Sequence, residues 1–443
     1  MNILMMTNTY TPILGGLEKS IATFSNAYRR RGHRVLIAAP TFEGAPANEK
    51  GVRRIPAIQH FNGSDFSVIL PLLPKHSRAL LAFKPDIIHA HHPFLIGSAA
   101  LRLAHNYQIP LVFTHHTLFE RYTHYTPVDL PVMARFVVKL STEFANLSDR
   151  VFAPSESIAQ LLRGRGVKAP IDVVPTGISL KRFRTGNRAA GRAQWNIPRE
   201  AFVIGHVGRL APEKNPVFLA QAVAAFLRRR RDAVFFIVGG GPSADQMRNV
   251  CRAAGVARQL RMSGALKEPK LFDAYRAMDV FAFASKSETQ GLVVTEAMAA
   301  GLPVIALDAP GAREVLEDGI NGILLHTEDT DTFAYAIQFL ADRTDAELSK
   351  LRASARKTAA RFSVQRCVTR ALSLYASISA KARRHDAGKR AVWLEAARRI
   401  KTEWELLRNV TAAAGSALMM PNSLNKPAYG KKISAPTGNW SKR

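Results

Sequence analysis

The sequence predicts an α/β protein of two doubly wound domains in tandem, each a parallel sheet with helices on both faces. Three observations carry this expectation. Short apolar runs alternate with longer helix-like stretches, the β-α-β rhythm of a buried parallel sheet. The rhythm lapses once, in a basic, Gly-containing stretch near Phe183–Asn196, and then restarts. The length of 443 residues suits two or three domains.

Asn2–Met6, Arg34–Ala39, Ile87–His89, Leu111–Thr114, Val151–Ala153 and Asp172–Val174 read as the strands of the first domain. Leu17–Arg31, Gly97–Asn106 and Ser155–Arg163 read as helices between them. Val203–Val207, Val234–Val238, Gln259–Met262, Val280–Ala284, Val304–Ala306 and Gly322–Leu325 read as the strands of the second. The boundary falls near residues 178–200, with Phe183–Asn196 as a linker, giving domains at 1–178 and 195–362. One more helical pattern, Ser363–Ser379, follows. The segment 381–443 is a basic extension with fourteen Lys or Arg against four acids. Within it Ala391–Val410 has an amphipathic pattern, and from Pro421 the polar, Pro/Gly-punctuated composition predicts disorder.

Composition narrows the function classes. Hydrophobic residues at 47% and charged residues at 22% exclude global disorder and collagen-like repeats. The two cysteines, Cys251 and Cys367, allow no C-x-x-C, which excludes a disulfide scaffold and a Cys-based zinc site. Lone thiols suit a reducing cytosol. A net charge of +28 points to an anionic partner: nucleic acid, a phosphorylated ligand or an anionic membrane. The opening residues have no positive segment before a short apolar run, so no signal peptide is expected. No run of 18 apolar residues occurs, so a membrane contact would be peripheral.

Four segments carry chemistry. Tyr10-Thr-Pro-Ile-Leu-Gly15-Gly16-Leu-Glu-Lys19 links the first strand to the first helix. Its glycines let backbone N–H groups approach a phosphate at a helix N-terminus, although an ordinary turn would look the same. It is not G-x-G-x-x-G, which disfavours a hydride-transfer enzyme. Next come two histidine clusters at strand ends, His89-Ala-His91-His92 and His115-His116. Ligand contact, metal binding and structural burial all remain open for them. Adjacent histidines on a strand face opposite ways, which argues against two ligands to one metal from either cluster. The third is Gly208-Arg209-Leu-Ala-Pro-Glu-Lys214, where two cations could bracket a diphosphate or form a solvated basic loop. The fourth is Ser285-Lys-Ser-Glu288-Thr289-Gln290-Gly291-Leu292-Val-Val-Thr-Glu296. Gly291 opens a helix, and two carboxylates separated by seven residues could reach opposite ends of one ligand. Glu296 lies among Val, Ala and Met, so it needs a partner. No Asp-x-Asp metal motif accompanies these segments.

Together these residues resemble the retaining glycosyltransferases of the GT-B fold, of the group 1 and family 4 type. The resemblance runs from residue 1 to about 380. It rests most on Gly15-Gly16, on Gly208-Arg209 with Lys214, and on Glu288 through Glu296. It implies two Rossmann-like domains facing a cleft. The first would bind the acceptor and be completed by the helix 363–380; the second would hold a nucleotide sugar. By resemblance, Arg209 and Lys214 neutralise the donor diphosphate and Glu296 takes the ribose diol. Glu288 and His116 act at the transferred sugar as the catalytic pair. Thr289, Gln290, Gly291 and Leu292 hold sugar or phosphate at the helix start, and Gly15 and Gly16 close on the phosphate. No metal or further cofactor is implied. Retention through front-side attack by way of an oxocarbenium-like state is implied, since no far-face nucleophile is evident.

A narrower resemblance is to bacterial diacylglycerol glucosyltransferases. Asp86-Ile-Ile-His-Ala-His-His-Pro-Phe-Leu-Ile-Gly97, Thr114-His-His-Thr-Leu-Phe-Glu-Arg-Tyr122-Thr-His-Tyr125 and Ser285-Lys-Ser-Glu-Thr-Gln-Gly291 carry it. It implies transfer of a hexose from a UDP-sugar such as UDP-glucose to a membrane lipid, at the inner face of the cell membrane. Tyr122, Tyr125, Arg135, Phe136 and Lys139 would then face the acceptor or the membrane. The stripe Met133, Phe136, Val137, Leu140 and Phe144, flanked by Arg135 and Lys139, fits an interfacial helix or a core helix. Phe61–Leu81 is a second interfacial candidate. The alternative acceptor is exopolysaccharide or lipopolysaccharide on a lipid carrier, with hexosyl or mannosyl transfer. A basic nucleic-acid-binding protein is disfavoured, because aromatics do not interleave with the cations.

Overall fold

The apolar runs become strands because their side chains are buried on both faces, as only a sheet covered twice allows. The structure, a computed structural model, describes residues 1–13, 15–46, 48–58, 68–69, 74–121 and 131–385. The first sheet contains β1 (Asn2–Met6), β2 (Arg34–Pro40), β3 (Val52–Ile55), β6 (Ile87–Ala90), β7 (Leu111–Thr114), β8 (Arg150–Ala153) and β9 (Ile171–Val173). They lie in the order β3-β2-β1-β6-β7-β8-β9, all parallel. β3 escaped the sequence reading because Arg53 and Arg54 interrupt its apolar pattern at the sheet edge. Two short strands, β4 (Ala57–Ile58) and β5 (Val68–Ile69), pair antiparallel outside that sheet. The second sheet contains β10 (Phe202–Val207), β11 (Ala233–Val238), β12 (Leu260–Met262), β13 (Val280–Phe283), β14 (Val304–Leu307) and β15 (Gly322–Leu325). Its order is β12-β11-β10-β13-β14-β15, again all parallel.

Each sheet carries a core on either face. On the first sheet, α2 (Pro74–Leu81), α3 (Ile96–Tyr107), α4 (Pro131–Asn146) and α5 (Glu156–Gly164) contribute to one core. On the other face α1 (Gly16–Arg30) packs with α14 (Val364–His385), the last described helix. There Cys367, Val368, Ala371, Tyr375 and Ile378 join Ile21, Phe24 and Tyr28 over Ile3, Met5 and Ile37. The chain thus returns from the second sheet to finish the first. The two crossings run side by side, with Ile178 N donating to Phe362 O at 2.8 Å and Val364 N to Ile178 O at 3.1 Å. The second sheet is covered by α8 (Pro216–Arg229), α9 (Ala244–Ala253) and α12 (Thr330–Ala341) on one face. On the other lie α6 (Leu180–Arg184), α10 (Lys270–Ala277), α11 (Leu292–Ala299) and α13 (Asp345–Arg361).

The stretch Phe183–Asn196 is folded and is not the open linker its composition suggested. It holds the end of α6 and all of α7 (Arg188–Gln194). Phe183 packs its ring 5.1 Å from Phe272 and 5.5 Å from Tyr275. Arg188 and Arg192 reach the two oxygens of Asp279 at 2.6 and 2.8 Å, so basic residues of the expected linker are spent on an internal carboxylate. Cys251 and Cys367 are buried and unpaired, and burial pushes their thiols up to about 11 and about 12. Neither is a nucleophile at neutral pH. Among the described residues, no helix is long and apolar enough to cross a membrane. The sequence segments Ala391–Val410 and Pro421 onward lie outside the described residues, as does most of Phe61–Leu73.

Candidate active site between the two sheets

Open parallel sheets bind ligands beyond the carboxyl ends of their strands, where the strand order reverses direction. In the first sheet that point lies between β1 and β6, and in the second between β10 and β13. The four segments singled out in the sequence leave these strands or, for His115-His116, the neighbouring β7.

On the second domain, a 3₁₀ turn over Pro212–Lys214 directs Lys214 toward the loop after β13. Lys214 Nζ donates to Glu288 Oε1 at 2.7 Å, and Arg209 Nη2 donates to Glu213 Oε1 at 2.8 Å. Ser287 Oγ donates to the Glu213 carbonyl at 2.9 Å and ties the two loops together. Gly291 caps α11 with φ +69, a left-handed conformation that favours glycine. A Cβ there would also come within 2.8 Å of Gly311 O, so a loop the sequence reading did not single out supports the turn. Glu296, one turn into α11, is 1% exposed. Tyr275 Oη donates to its Oε2 at 2.9 Å, and the Lys19 ammonium pairs with Oε1. Burial and the nearby Glu296 hold the Tyr275 phenol far above its ordinary range, so it stays a donor. The partner that Glu296 required is therefore double, and half of it comes from the other domain.

On the first domain, the start of α1 has taken an anion from its own sequence. The Glu18 carboxylate is buried there, and burial raises its pKa against the opposing pull of Thr9 and of its own backbone. A side chain at Gly15 would collide with it. The histidines form a buried cluster. His89 contacts Thr114 Oγ1 through Nε2 at 2.6 Å and Tyr375 Oη through Nδ1 at 2.5 Å. His91 Nδ1 meets His116 Nε2 at 2.9 Å. His92 turns the opposite way and accepts from Asn8 N at 3.1 Å. Burial pushes His89 and His92 down to about 3 and His115 to about 4. His91 and His116 are held well below the ordinary range, by burial first and then by the neighbouring imidazoles, His89 foremost. All five are neutral imidazoles at physiological pH. Among the described residues, no group of His, Cys, Asp or Glu is arranged to hold a metal ion.

The halves meet directly. Thr289 Oγ1 donates to the His116 carbonyl at 2.9 Å, and Ser155 Oγ donates to the Thr289 carbonyl at 2.7 Å. Gln290 pairs at both ends of its amide with the Thr176 backbone, at 2.7 and 2.9 Å. The side chains of Thr289 and Gln290 are thus committed to the other domain, which leaves their backbone for a ligand. Glu314 accepts from the N–H groups of Glu156 and Ser157 at the start of α5. This site joins Glu288 and Lys214 to His116 through one short loop.

Residues 14–182 match Glycosyltransferase Family 4, and residues 187–361 match Glycosyl transferases group 1. The chain belongs to these glycosyltransferases. It is similar to the D-inositol 3-phosphate glycosyltransferase 1 of Catenulispora acidiphila, with 32% identity over 66% of this chain and 72% of that one. It is also similar to the alpha-monoglucosyldiacylglycerol synthase of Streptococcus pneumoniae, with 28% identity over 74% of this chain and 76% of that one. Its fold matches Anabaena HepE, solved in complex with UDP and glucose, at a TM-score of 0.68. That match covers 85% of this chain and 100% of HepE at 22% identity, so it speaks for the fold. The architecture is GT-B, and the enzyme is a retaining glycosyltransferase.

In this glycosyltransferase the expected membrane-facing residues separate. Arg135 is 9% exposed and has a partner, so it is turned inward and does not sit where an interfacial cation must. Phe144 is a core residue, with its ring 5.0 Å from Phe113. The C-terminal half of the α4 stripe therefore serves the core. Phe136 is half-buried, and Lys139 is half-buried beside Glu143 at 2.6 Å. Tyr122 and Tyr125 lie outside the described residues. Sequence reasoning gave no role to Lys19 or Tyr275 and left that of His91 open within its cluster. Lys19 was adjacent to the Gly15-Gly16 motif, but its partner lies 277 residues away. Tyr275 carried no local signal.

Proposed function

We propose that this glycosyltransferase moves a hexose, with retention, from a UDP-sugar such as UDP-glucose to a membrane lipid acceptor such as diacylglycerol. Arg209 and Lys214 balance the donor diphosphate, Glu296 takes the ribose diol, and Glu288 and His116 address the sugar. The N-terminal end of α11, capped by Gly291, adds its partial positive charge to the leaving diphosphate. The glycosidic bond to the diphosphate breaks through an oxocarbenium-like state while the acceptor hydroxyl attacks from the same face and passes its proton to the departing phosphate oxygen. Gly15, Gly16 and the backbone of Thr289 to Leu292 line the approach. The observation that carries this reading is the Thr289 to His116 hydrogen bond, which sets the Glu288–Gly291 turn against the histidine of the acceptor domain. The likeness to a monoglucosyldiacylglycerol synthase supports the lipid acceptor, and the net charge of +28 supports an anionic membrane surface.

The test offers the purified protein total membrane lipids with radiolabelled UDP-glucose, UDP-galactose or GDP-mannose, and identifies the product by mass spectrometry. Label in a diacylglycerol-type glycolipid from a UDP-sugar is the expected result. Label from GDP-mannose, or only in a carrier-linked saccharide, would favour the polysaccharide alternative and overturn the lipid reading.

A further inference from the structure

His91 and His116 leave neighbouring parallel strands. His91 is the first residue beyond β6 and His116 the second beyond β7, and the strands hold register through Ala90 and Phe113. Their backbones are pinned, with His91 N donating to Met6 O at 2.9 Å and His115 N to Phe152 O at 3.0 Å. The rings lie 5.1 Å apart at 27°, and the His89 ring lies 4.2 Å from that of His91. His89 is itself held at both nitrogens by Thr114 and Tyr375. His91, 2% exposed, thus packs against both a fixed ring and the ring of the proposed sugar contact.

Two neutral imidazoles share one proton at the Nδ1 to Nε2 contact of 2.9 Å. The remaining nitrogen of His91, Nε2, is buried without a partner. If His116 donated, that nitrogen would be an idle buried N–H; if His91 donates, it is an idle acceptor. Orphaned buried N–H groups are the rarer case. A cavity of ≈ 10 Å³ is lined in part by His91, His116, Ser20 and Thr176. We propose that His91 is the positioning residue for His116: its Nδ1–H fixes the His116 ring and leaves His116 with its own proton on Nδ1, as a donor to a ligand oxygen. This rests on the role given to His116 above.

The geometry names the test. The amide nitrogen of Asn branches from the chain where Nδ1 does, the amide of Gln lies one bond further out, and Phe keeps the ring without a nitrogen. His91→Phe should lower kcat about tenfold or more and leave donor KM within about twofold. His91→Asn should recover kcat to within about threefold of wild type, and His91→Gln should not. In a His116→Ala background His91→Phe should cost nothing further. A wild-type kcat in His91→Phe, or equal kcat in the Asn and Gln variants, overturns the proposal. Should His91→Phe fail to fold, the Asn and Gln comparison decides alone. A wild-type kcat in His116→Ala would remove the reading of His116 itself, whereas a defective His116→Ala beside an active His91→Phe removes only the positioning role.

Discussion

Charge in the cleft is already balanced residue by residue. Lys214 is paired with Glu288 and Arg209 with Glu213. A donor diphosphate would have to exchange with carboxylates, and this sets the sign of two expectations. Glu288→Gln should lower kcat at least about 100-fold, since an amide cannot stabilise positive charge at the sugar, yet keep the Kd for UDP within about threefold. Turnover assays with calorimetry check this, and an unchanged kcat would remove the role. Arg209→Ala and Lys214→Ala should each weaken UDP about tenfold and UMP less, because two cations face two phosphates. Equal weakening of both nucleotides would contradict the assignment. The histidines make a third expectation. In the unfolded chain an imidazole titrates near about 6.5, whereas burial holds His89 and His92 at about 3 and His115 at about 4. Between those values the unfolded state binds protons that the folded state refuses. Stability is therefore intact above pH 6.5 and falls below it, by about 1.4 kcal/mol per pH unit for each such histidine until its folded pKa is reached. Urea melts at pH 7 and pH 5 should show a much lower midpoint at pH 5, and equal midpoints would speak against the buried cluster.

At the scale of the element, α4 divides its labour along its length. Its C-terminal turn anchors the first domain through Phe144 and Ala145, both in the core. Its earlier turns leave Phe136 and Lys139 half-buried. Phe144→Ser should cost about 3–5 kcal/mol and be read as a large drop in melting temperature. Phe136→Ser should keep the fold and donor hydrolysis but lose transfer to lipid acceptors. If Phe136→Ser transfers to lipid as well as wild type does, α4 has no part in acceptor delivery. Arg135 is a poor probe of membrane contact, because a carboxylate placed there would be a buried charge.

For the whole molecule, the cleft is stitched by Lys19 to Glu296, Thr289 to His116, Ser155 to Thr289, Gln290 to Thr176, and Glu314 to the start of α5. Each joins a loop or helix end of one sheet to the other, so site and domain contact are built from the same residues. A chain of net charge +28 should also sediment with vesicles of anionic lipid at low salt. Each Lys or Arg near such a surface contributes roughly 1 kcal/mol. Salt should release it, since the attraction is screened within about 10 Å at 0.1 M. Lys139→Glu should weaken the binding, and any part that resists salt should fall in Phe136→Ser. Failure of the wild type to bind anionic vesicles at low salt would sink the lipid acceptor in favour of a soluble or carrier-linked one.

The sequence by itself determined the architecture and the address of the site. Strands buried on both faces are largely apolar, so Val280–Phe283 and Ile87–Ala90, where His89 is the one polar residue, announce themselves locally, and the ligand loops are whatever follows them. The need of Glu296 for a partner was legible too, because its neighbours on the helix are apolar. Which partner it takes was not: Lys19 and Tyr275 arrive from 277 and 21 residues away. The same limit explains the rest. Arg192 looked like linker until Asp279 met it, Arg135 looked interfacial until packing enclosed it, and the role of His91 stayed open until β6 and β7 set it beside His116. A side chain's burial and its partner depend on which strands and helices become neighbours. Composition and spacing reveal that a charge or an imidazole is present, and only the tertiary structure decides what satisfies it.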